Sequence, residues 1–351
     1  MKKFAALAVA GCMAVSLAAC GGSASAPASS EAASTESAAT SAAESAAESV
    51  TEAAQGGKVG VCIYKFDDAF MTTYRNALQE ILEGKGYEVT IVDGNNDQAK
   101  QNEQINTFIT QGVDALIINP VMTSAADQII STVKDADVPT VLINREPTAD
   151  QMSAYDKLVY VGCDAAQSGT FQGELILETE TQGDINGDGK VTYIMCKGDP
   201  ENIDAQYRTE YSIKALTDAG KEVECLYEYL DNWDQTTAQQ DVANALSQYG
   251  DKIEVVFCNN DAMALGALQS IQQANRTVGK DIYLVGVDAL AEAVQDVLDG
   301  NMTGTVLNDD VGQATAAAEA TRLYVEGSKV EQYYWVDYVK VTKDNASEYV
   351  K

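Results

Sequence analysis

The chain has 351 residues, with 53 acidic against 23 basic side chains, a formal net charge of −30 and no histidine. A surface this acidic repels nucleic acids and anionic lipid headgroups, so we expect a neutral or cationic ligand and no nucleic-acid partner. The absence of histidine removes the commonest general base and the commonest transition-metal ligand, which weakens the case for an enzyme.

The first twenty residues have the pattern of an export signal. Lys2 and Lys3 precede an apolar run over residues 4–19, which is too short to span a bilayer and ends in small residues before Cys20. This is similar to a bacterial lipoprotein signal, in which Cys20 would receive lipid; an ordinary secretory signal is the alternative. We expect a protein anchored at the extracytoplasmic face of the cell membrane, or in the periplasm.

Residues 21–57 are rich in Ala, Ser, Glu and Thr and contain no aromatic residue. Such a segment cannot bury enough apolar surface to offset its chain entropy, so it predicts a disordered tether spanning roughly 30 Å. The folded part then begins near residue 58 and keeps a net charge of −27, from 21 basic and 48 acidic residues.

The remaining residues predict an α/β fold with parallel sheets, because short Val/Ile-rich runs alternate with helical patterns. Helical patterns cover, for example, 71–83, 125–135, 168–180, 262–273 and 312–326. Eleven strands are too many for one typical doubly wound sheet, so we expect two lobes. The predicted strands are 59–64, 89–92, 115–119, 140–144, 159–162, 191–196, 223–229, 254–258, 283–287, 305–307 and 338–341.

Five cysteines belong to the folded part, and each lies within or at the end of a predicted strand. Their number is odd and they lack metal-ligand spacing, which favours buried free thiols and leaves a single disulfide as the alternative. These residues are Cys62, Cys163, Cys196, Cys225 and Cys258.

Residues 184–192 read as the first nine positions of a calcium loop. Side-chain oxygens of Asp184, Asn186 and Asp188 fall at positions 1, 3 and 5, glycine at 6, the Lys190 carbonyl at 7 and the Thr192 hydroxyl at 9. Position 12 is Met195, and the residues after Lys190 alternate like a strand. The missing carboxylate must come from elsewhere, so the loop predicts a structural Ca²⁺; a turn cluster without metal is the alternative.

Polar side chains follow six of the predicted strands. Ligands of open α/β sheets bind at the carboxyl ends of the strands, so these side chains predict a binding site. Their carboxylates, amides and guanidinium groups suit a neutral polyol, with Phe70 and Trp233 as candidate plates for a sugar ring. Asp and Asn at such positions also cap helices, but neither Asn144 nor Asn308 directly precedes a helical pattern. The residues are Asp67, Asp68, Asn144, Arg145, Glu146, Asp204, Arg208, Asn259, Asn260, Asp261, Asp288, Asn308, Asp309 and Asp310.

Together these residues closely resemble the galactose/glucose-binding proteins of bacterial ABC transporters, of the type I periplasmic binding protein family. The resemblance extends over 58–351, with matching runs at 64–71, 144–147, 204–208, 259–264, 286–290 and 305–309. It implies two doubly wound parallel-sheet lobes joined by a three-segment hinge. The N-terminal lobe would comprise 58–163 with 309–335, and the C-terminal lobe 164–308 with 336–351.

The resemblance also implies site residues. A pyranose would lie between Phe70 and Trp233, and Glu254 would supply the remote carboxylate of the calcium loop. Asn202 stands where the family has a ligand histidine, and Thr192 replaces a longer amide, so sugar preference and ion affinity are open. The hydrogen-bonding residues would be Asp68, Asn144, Asp204, Arg208, Asn260, Asp288 and Asn308.

The sequence thus predicts a monomeric, lipid-anchored protein that captures D-galactose or D-glucose and delivers it to an ABC transporter permease. Ribose, xylose or arabinose are alternative ligands, and a sensor that presents its closed form to a chemoreceptor is an alternative role. A glycosidase using two clustered carboxylates is disfavoured, so no catalytic residue is expected. A transcriptional repressor is disfavoured by the export signal and the lack of a basic headpiece.

Overall fold

The computed structural model describes residues 56–350. The predicted signal peptide, the lipid-accepting Cys20 and nearly all of the predicted tether lie outside the described residues. None of the helices between residues 56 and 350 combines the length and apolar character that a bilayer-spanning helix needs.

Twelve β-strands form within the described part of the chain. Most of them are rich in Val, Ile and Leu, and several are buried along their full length, as expected for parallel strands covered on both faces. The strands are β1 (Lys58–Ile63), β2 (Glu88–Asp93), β3 (Ala115–Ile118), β4 (Thr140–Ile143), β5 (Leu158–Gly162), β6 (Lys190–Lys197), β7 (Glu222–Leu230), β8 (Val255–Cys258), β9 (Tyr283–Val285), β10 (Thr305–Leu307), β11 (Tyr333–Trp335) and β12 (Val339–Val341).

Ten α-helices accompany these strands in residues 56–350. Many begin at an Asp or Asn whose side chain accepts a hydrogen bond from the first turn, which satisfies an otherwise free backbone N–H. The helices are α1 (Ala69–Gly84), α2 (Gln98–Gln111), α3 (Ala126–Asp135), α4 (Ala149–Met152), α5 (Ala165–Leu177), α6 (Ile203–Asp218), α7 (Gln235–Tyr249), α8 (Asp261–Gln273), α9 (Ala291–Asp299) and α10 (Asp310–Val325).

The strands form two parallel sheets and one small antiparallel pair. The first sheet has the order β11-β5-β4-β3-β1-β2 and the second the order β7-β6-β8-β9, while β10 pairs with β12. Each large sheet with its helices is a lobe, so the expected α/β fold with two parallel-sheet lobes is confirmed. The chain passes between the lobes after β5, between β10 and α10, and after β11. The residue limits predicted for the lobes stay a prediction.

Each sheet separates two apolar clusters, because successive side chains of a strand point to opposite faces. In β1, Val61 and Ile63 pack with residues of α1 and α10, whereas Cys62 packs with residues of α2 and α3. In β6, Ile194 and Cys196 belong to the cluster of α7 and α8, and Met195 to that of α5 and α6. Both sheets are therefore covered on both faces, and their strand ends remain free to carry a site.

The structure differs from the sequence-based expectation in three places. A twelfth strand, β11, adds to the first sheet beside β5; three residues are too short to give a period-2 pattern. Helix α5 ends at Leu177 rather than near residue 180. The five thiols are unpaired, but Cys225 is exposed, because it lies on the edge strand β7, so the expectation that all five are buried was wrong.

Candidate functional site

One cavity brings together eight of the fourteen polar residues that follow the predicted strands; Asp67, Glu146, Asn259, Asp261, Asp309 and Asp310 do not line it. The free space between its side chains is small, about 30 Å³. All ten side chains that the resemblance nominated line it: Asp68, Phe70, Asn144, Asn202, Asp204, Arg208, Trp233, Asn260, Asp288 and Asn308.

Three of these residues cap helices as well as lining the cavity. Asp68, Asn202 and Asn260 each accept a hydrogen bond from a backbone N–H in the first turn of α1, α6 and α8. The second carboxylate oxygen of Asp68 accepts a hydrogen bond from the Tyr64 hydroxyl at 2.7 Å. Capping therefore fixes these side chains at the cavity wall instead of excluding them from a binding role.

The two asparagines that do not cap a helix are held in other ways. Asn144 has a positive φ of 62°, its backbone carbonyl accepts a hydrogen bond from the Tyr160 hydroxyl at 3.0 Å, and its side-chain oxygen accepts one from the Asn119 amide at 3.1 Å. The Asn308 amide donates to Asp288 at 3.2 Å, and its oxygen accepts from Gln313 at 2.7 Å. Both side chains therefore face the cavity with orientations fixed by buried partners.

Arg208 is a buried cation of the cavity, with only 3 % of its surface exposed. Its guanidinium donates to the Ser168 hydroxyl at 3.3 Å, the Asn259 carbonyl at 2.9 Å and the Tyr338 hydroxyl at 3.0 Å. These partners come from α5, from the end of β8 and from the segment before β12. The planar, five-donor guanidinium thus ties three elements of the second lobe together.

Two buried carboxylates flank this guanidinium. Asp204 and Asp288 each have an oxygen 3.9 Å from an Arg208 nitrogen. Burial raises the pKa of Asp204 above its ordinary value, while Arg208 opposes that rise. Burial likewise raises the pKa of Asp288 well above its usual range, and Arg208 again opposes it. The cavity therefore holds acceptors that burial makes poorly solvated and that a ligand's hydroxyl donors would stabilise.

Two aromatic side chains contribute to the cavity in different ways. Phe70 is 5 % exposed and belongs to the core of the first lobe, where its ring meets Tyr74 edge to face. Trp233 lies in a loop with a positive φ of 69° and packs against the core of the second lobe. A Cβ added to Gly198 would overlap its indole ring. The close approach of Gly198 therefore sets the position of Trp233.

Three residues that line the cavity were not among the ten candidates. Tyr64, Met71 and Arg145 lie next to candidate positions in sequence or one helical turn away. Arg145 directly follows Asn144 and was already among the strand-end residues that predicted a binding site. Tyr64 ends a predicted strand, which was an available signal, whereas an apolar Met71 on a helix carried none.

The predicted calcium loop and its remote carboxylate come together in the structure. Asp184 accepts hydrogen bonds from the backbone N–H groups of Gly187, Asp188 and Gly189 at 2.8–3.1 Å. The fully buried Glu254 reaches the loop, accepting from Asn186 N–H at 2.8 Å and from the Thr192 N–H at 2.9 Å. The segment from Lys190 onward is strand β6, as predicted.

The donor set of this loop fits a hard cation only when neutral oxygens are included. Within residues 56–350, no three His, Cys, Asp or Glu side chains converge as a metal site by themselves. Calcium also takes amide and carbonyl oxygens, which Asn186 and Lys190 offer beside Asp184, Asp188 and Glu254. Asp184 Oδ2 and both Glu254 oxygens each accept one backbone N–H and keep a lone pair for a cation, whereas Asp184 Oδ1 accepts two. The loop is therefore compatible with Ca²⁺.

The first test concerns the position of Trp233. We expect Gly198→Ala to displace the indole ring, because the added methyl group overlaps it. In a Trp335→Phe background, which leaves Trp233 as the single tryptophan of the chain, the emission spectrum should shift. Gly84→Ala is the matched control, since a Cβ there meets nothing within 4 Å. An unchanged spectrum in Gly198→Ala would show that the ring does not depend on this contact.

The second test concerns the buried charge of Asp288. Its raised pKa means that the folded protein holds this proton more tightly than the unfolded chain, so its effect on stability worsens as the pH rises above about 4. We expect Asp288→Asn, which cannot titrate, to melt about 2–4 °C higher than wild type at pH 7.5. The difference should shrink towards pH 4. Calorimetric melting between these limits measures it, with the exposed Asp137→Asn as control; a lower melting temperature at pH 7.5 would contradict it.

Comparison with known proteins agrees with this architecture. The family model described as "Periplasmic binding protein domain" matches residues 59–329. The chain is 37 % identical over 312 residues to the D-galactose/methyl-galactoside binding periplasmic protein of Haemophilus influenzae, which covers 85 % of this chain and 93 % of that protein. It is 33 % identical over 300 residues to a putative rhizopine-binding protein of Rhizobium meliloti, covering 85 % and 94 % of the two chains.

Solved structures give the same result. The ABC transporter solute binding protein of Bacillus halodurans with bound myo-inositol superposes with a TM-score of 0.74 at 27 % identity, covering 84 % of this chain and 98 % of that one. The predicted resemblance is thereby confirmed. The family consists of substrate-binding proteins of transport systems. This chain belongs to the type I periplasmic binding protein family, as its family match, its relatives and its two parallel-sheet lobes around a polar cavity show.

Proposed function

We propose that this protein captures a neutral monosaccharide outside the cytoplasm and delivers it to an ABC transporter. Galactose or glucose is the ligand we favour. The observation that carries the proposal is the composition of the cavity wall, where buried carboxylates, amides and a guanidinium face the space flanked by Phe70 and Trp233.

The chemistry of this wall matches a hexose group by group. Carboxylates accept hydrogen bonds from hydroxyls, Arg208 donates, and the asparagine amides do both, while aromatic faces cover the apolar C–H side of a ring. A cavity that already contains buried, ionisable acceptors favours a ligand with many donors, because each hydroxyl would satisfy a group that burial has deprived of water.

The relatives support a polyol ligand and favour galactose among the hexoses. The name of the Haemophilus influenzae relative specifies galactose and methyl-galactoside, and the Bacillus halodurans structure holds myo-inositol. Bacillus subtilis contributes a ribose import binding protein that is 27 % identical over 274 residues. A different monosaccharide is therefore the main alternative ligand, and Asn202 is the position at which the hexose pattern departs.

The proposed role is binding without turnover. The carboxylates of the cavity interact with Arg208, Asn308, Tyr64 or a helix N-terminus. A glycosidase needs one carboxylic acid free to protonate the leaving group, and none of these carboxylates is free to do so. Closure of the lobes would exclude water and present one conformation to a permease. A chemoreceptor that recognises the same conformation is the alternative partner.

We also propose that the mature protein is attached to the extracytoplasmic face of the membrane through lipid on Cys20. The basic start, the short apolar run and the small residues before Cys20 support this anchor. The acidic folded part would be held off anionic headgroups by charge repulsion, and the tether of residues 21–57 would let it reach a permease.

Calorimetric titration with a panel of monosaccharides tests the ligand. We expect galactose and glucose to bind more tightly than ribose, xylose and arabinose. Asp288→Ala should lose at least about 100-fold in affinity, because it removes a buried charged acceptor and leaves Arg208 and Asn308 with one partner fewer.

The matched control for this titration is Asp137→Ala, which removes an exposed carboxylate that pairs with Lys157 on the surface of the first lobe. It should bind sugar as wild type does. A pentose that binds more tightly than both hexoses would refute the proposed specificity. Hydrolysis of nitrophenyl glycosides by the wild-type protein would refute the role of a non-catalytic binder.

We further propose that Asp184, Asn186, Asp188, Lys190, Thr192 and Glu254 hold a structural Ca²⁺. The hydrogen bonds that Asp184 and Glu254 accept from backbone N–H groups hold both carboxylates against the loop, which supports this proposal. A bound cation would offset the negative charge of these carboxylates, and so would stabilise the second lobe.

Chelation tests this ion. We expect a chelator to lower the melting temperature by several degrees and added Ca²⁺ to restore it, since a ligand that binds only the folded state stabilises it. Glu254→Gln should abolish the response, whereas the exposed Glu83→Gln should retain it. If wild type melts at the same temperature with chelator and with Ca²⁺, the loop holds no stabilising ion.

A further inference from the structure

The short loop at residues 198–202, between β6 and α6, makes two polar contacts with the opposite lobe. We name it the latch loop. A carboxylate oxygen of Asp199 lies 3.2 Å from Nη1 of Arg145, which follows β4. A carboxylate oxygen of Glu201 accepts a hydrogen bond from the Ser124 hydroxyl, just before α3, at 3.4 Å. Both contacts join the second lobe to the first.

Arg145 is held in place by its own lobe. Its side chain is 2 % exposed, its Nη1 donates to the Val121 carbonyl, and its guanidinium lies 4.4 Å from the centre of the Tyr64 ring. Its Nε has no hydrogen-bond partner among the described protein atoms. A buried, immobilised cation gains much from a counter-ion, because little side-chain entropy remains to be lost when the ion pair forms.

The same contacts reach the cavity from both sides. Tyr64, which packs on Arg145, donates its hydroxyl hydrogen bond to Asp68 on the first lobe's side. On the second lobe's side, Asn202 of the latch loop caps α6 at the cavity wall, and Gly198 lies against Trp233. The Asp199–Arg145 ion pair therefore lies between Tyr64, which positions Asp68 on one wall of the cavity, and the latch loop, which positions Asn202 on the other wall.

Asp199 itself stands apart from the cavity. It does not line the cavity, and its side chain is 28 % exposed. Its other carboxylate oxygen accepts a hydrogen bond from the Glu201 N–H at 3.0 Å, which shapes the latch loop. An asparagine at this position keeps that acceptor and removes the charge, so Asp199→Asn isolates the ion pair from the fold of the loop.

We propose that Asp199 is a positioning residue that determines how long the protein retains its ligand, by pairing with Arg145 only when the lobes come together. This rests on the proposed function for the identity of the ligand. Through this ion pair, Asp199 stabilises the bound, closed arrangement without touching the ligand itself. It therefore slows dissociation for every ligand of the cavity to the same degree and leaves the order of preference among ligands unchanged.

The magnitude follows from the partial exposure of the pair. Exposed ion pairs contribute little, whereas removing one member of a buried pair costs considerably more. With one partner buried and the other partly exposed, we expect Asp199→Asn to dissociate galactose about three- to tenfold faster. The association rate should change less than about twofold, because most effects of contact loss appear in the dissociation rate.

The experiment uses stopped-flow tryptophan fluorescence and calorimetry on the mature protein, with Asp137→Asn as the matched control. Asp137 forms its ion pair with Lys157 inside the first lobe and is 73 % exposed. The latch is supported if Asp199→Asn dissociates both galactose and glucose faster than wild type by the same factor, and if high salt reduces this difference between variant and wild type. Dissociation at the wild-type rate, or a change in the order of preference, overturns it.

A second measurement separates the latch from the identity of the ligand. Small-angle X-ray scattering of the ligand-free proteins should give a larger radius of gyration for Asp199→Asn than for wild type. If wild type binds none of the sugars tested, the proposed function fails while this comparison still judges the latch. Equal radii in wild type and variant would then overturn it.

Discussion

The buried guanidinium of Arg208 is the interaction on which the rest of the site depends. It binds α5 through Ser168, the end of β8 through the Asn259 carbonyl, and the last crossing segment through Tyr338. Burial lowers its pKa, but Tyr338 and the two neighbouring carboxylates more than offset this and raise it overall. A permanent cation at this point allows Asp204 and Asp288 to be buried at the wall of a cavity. Without it, two unpaired carboxylates would face a poorly solvated space, which is among the costliest arrangements in a folded protein.

The remainder of the fold supplies the stability that this arrangement requires. Both parallel sheets are covered on both faces by apolar clusters, and these clusters hold the strand ends at fixed distances. Of the ten non-glycine residues with positive φ in the described part of the chain, three line the site: Asn144, Trp233 and Asp288, with φ of 62°, 69° and 123°. Residues other than glycine rarely adopt such backbone angles. These angles persist only where the surrounding structure enforces them. Well-packed sheets therefore carry a rim of charged and strained residues that would not be stable alone.

Much of this could be predicted from the sequence, for reasons that particular residues make clear. Short apolar runs in the sequence predict the parallel strands. Asp68, Asn144, Asn260 and Asp288 were identifiable because each follows such a run. Strand β11 gave no signal, since Tyr333–Trp335 is too short to show a period and depends on pairing with β5. Asp199 was also invisible, because its partner Arg145 is 54 residues away and the two meet only across the lobes. A sequence pattern within one strand or helix predicts that element, whereas a contact between the two lobes can be identified only when the fold is known.

The two lobes contribute unequally to the polar wall of the cavity, and this difference bears on the order in which they would contact a ligand. The second lobe and the crossing segment after β10 contribute six of the ten polar lining side chains, including Arg208 with both flanking carboxylates, whereas the first lobe contributes Tyr64, Asp68, Asn144 and Arg145. A ligand that met the second lobe first would already find most of its hydrogen-bond partners there. The first lobe would then complete the enclosure and bring Arg145 to the latch loop. Recognition would thus reside mainly in one wall, and retention in contacts that form only when the other wall arrives; the division follows from where the chain places its charges.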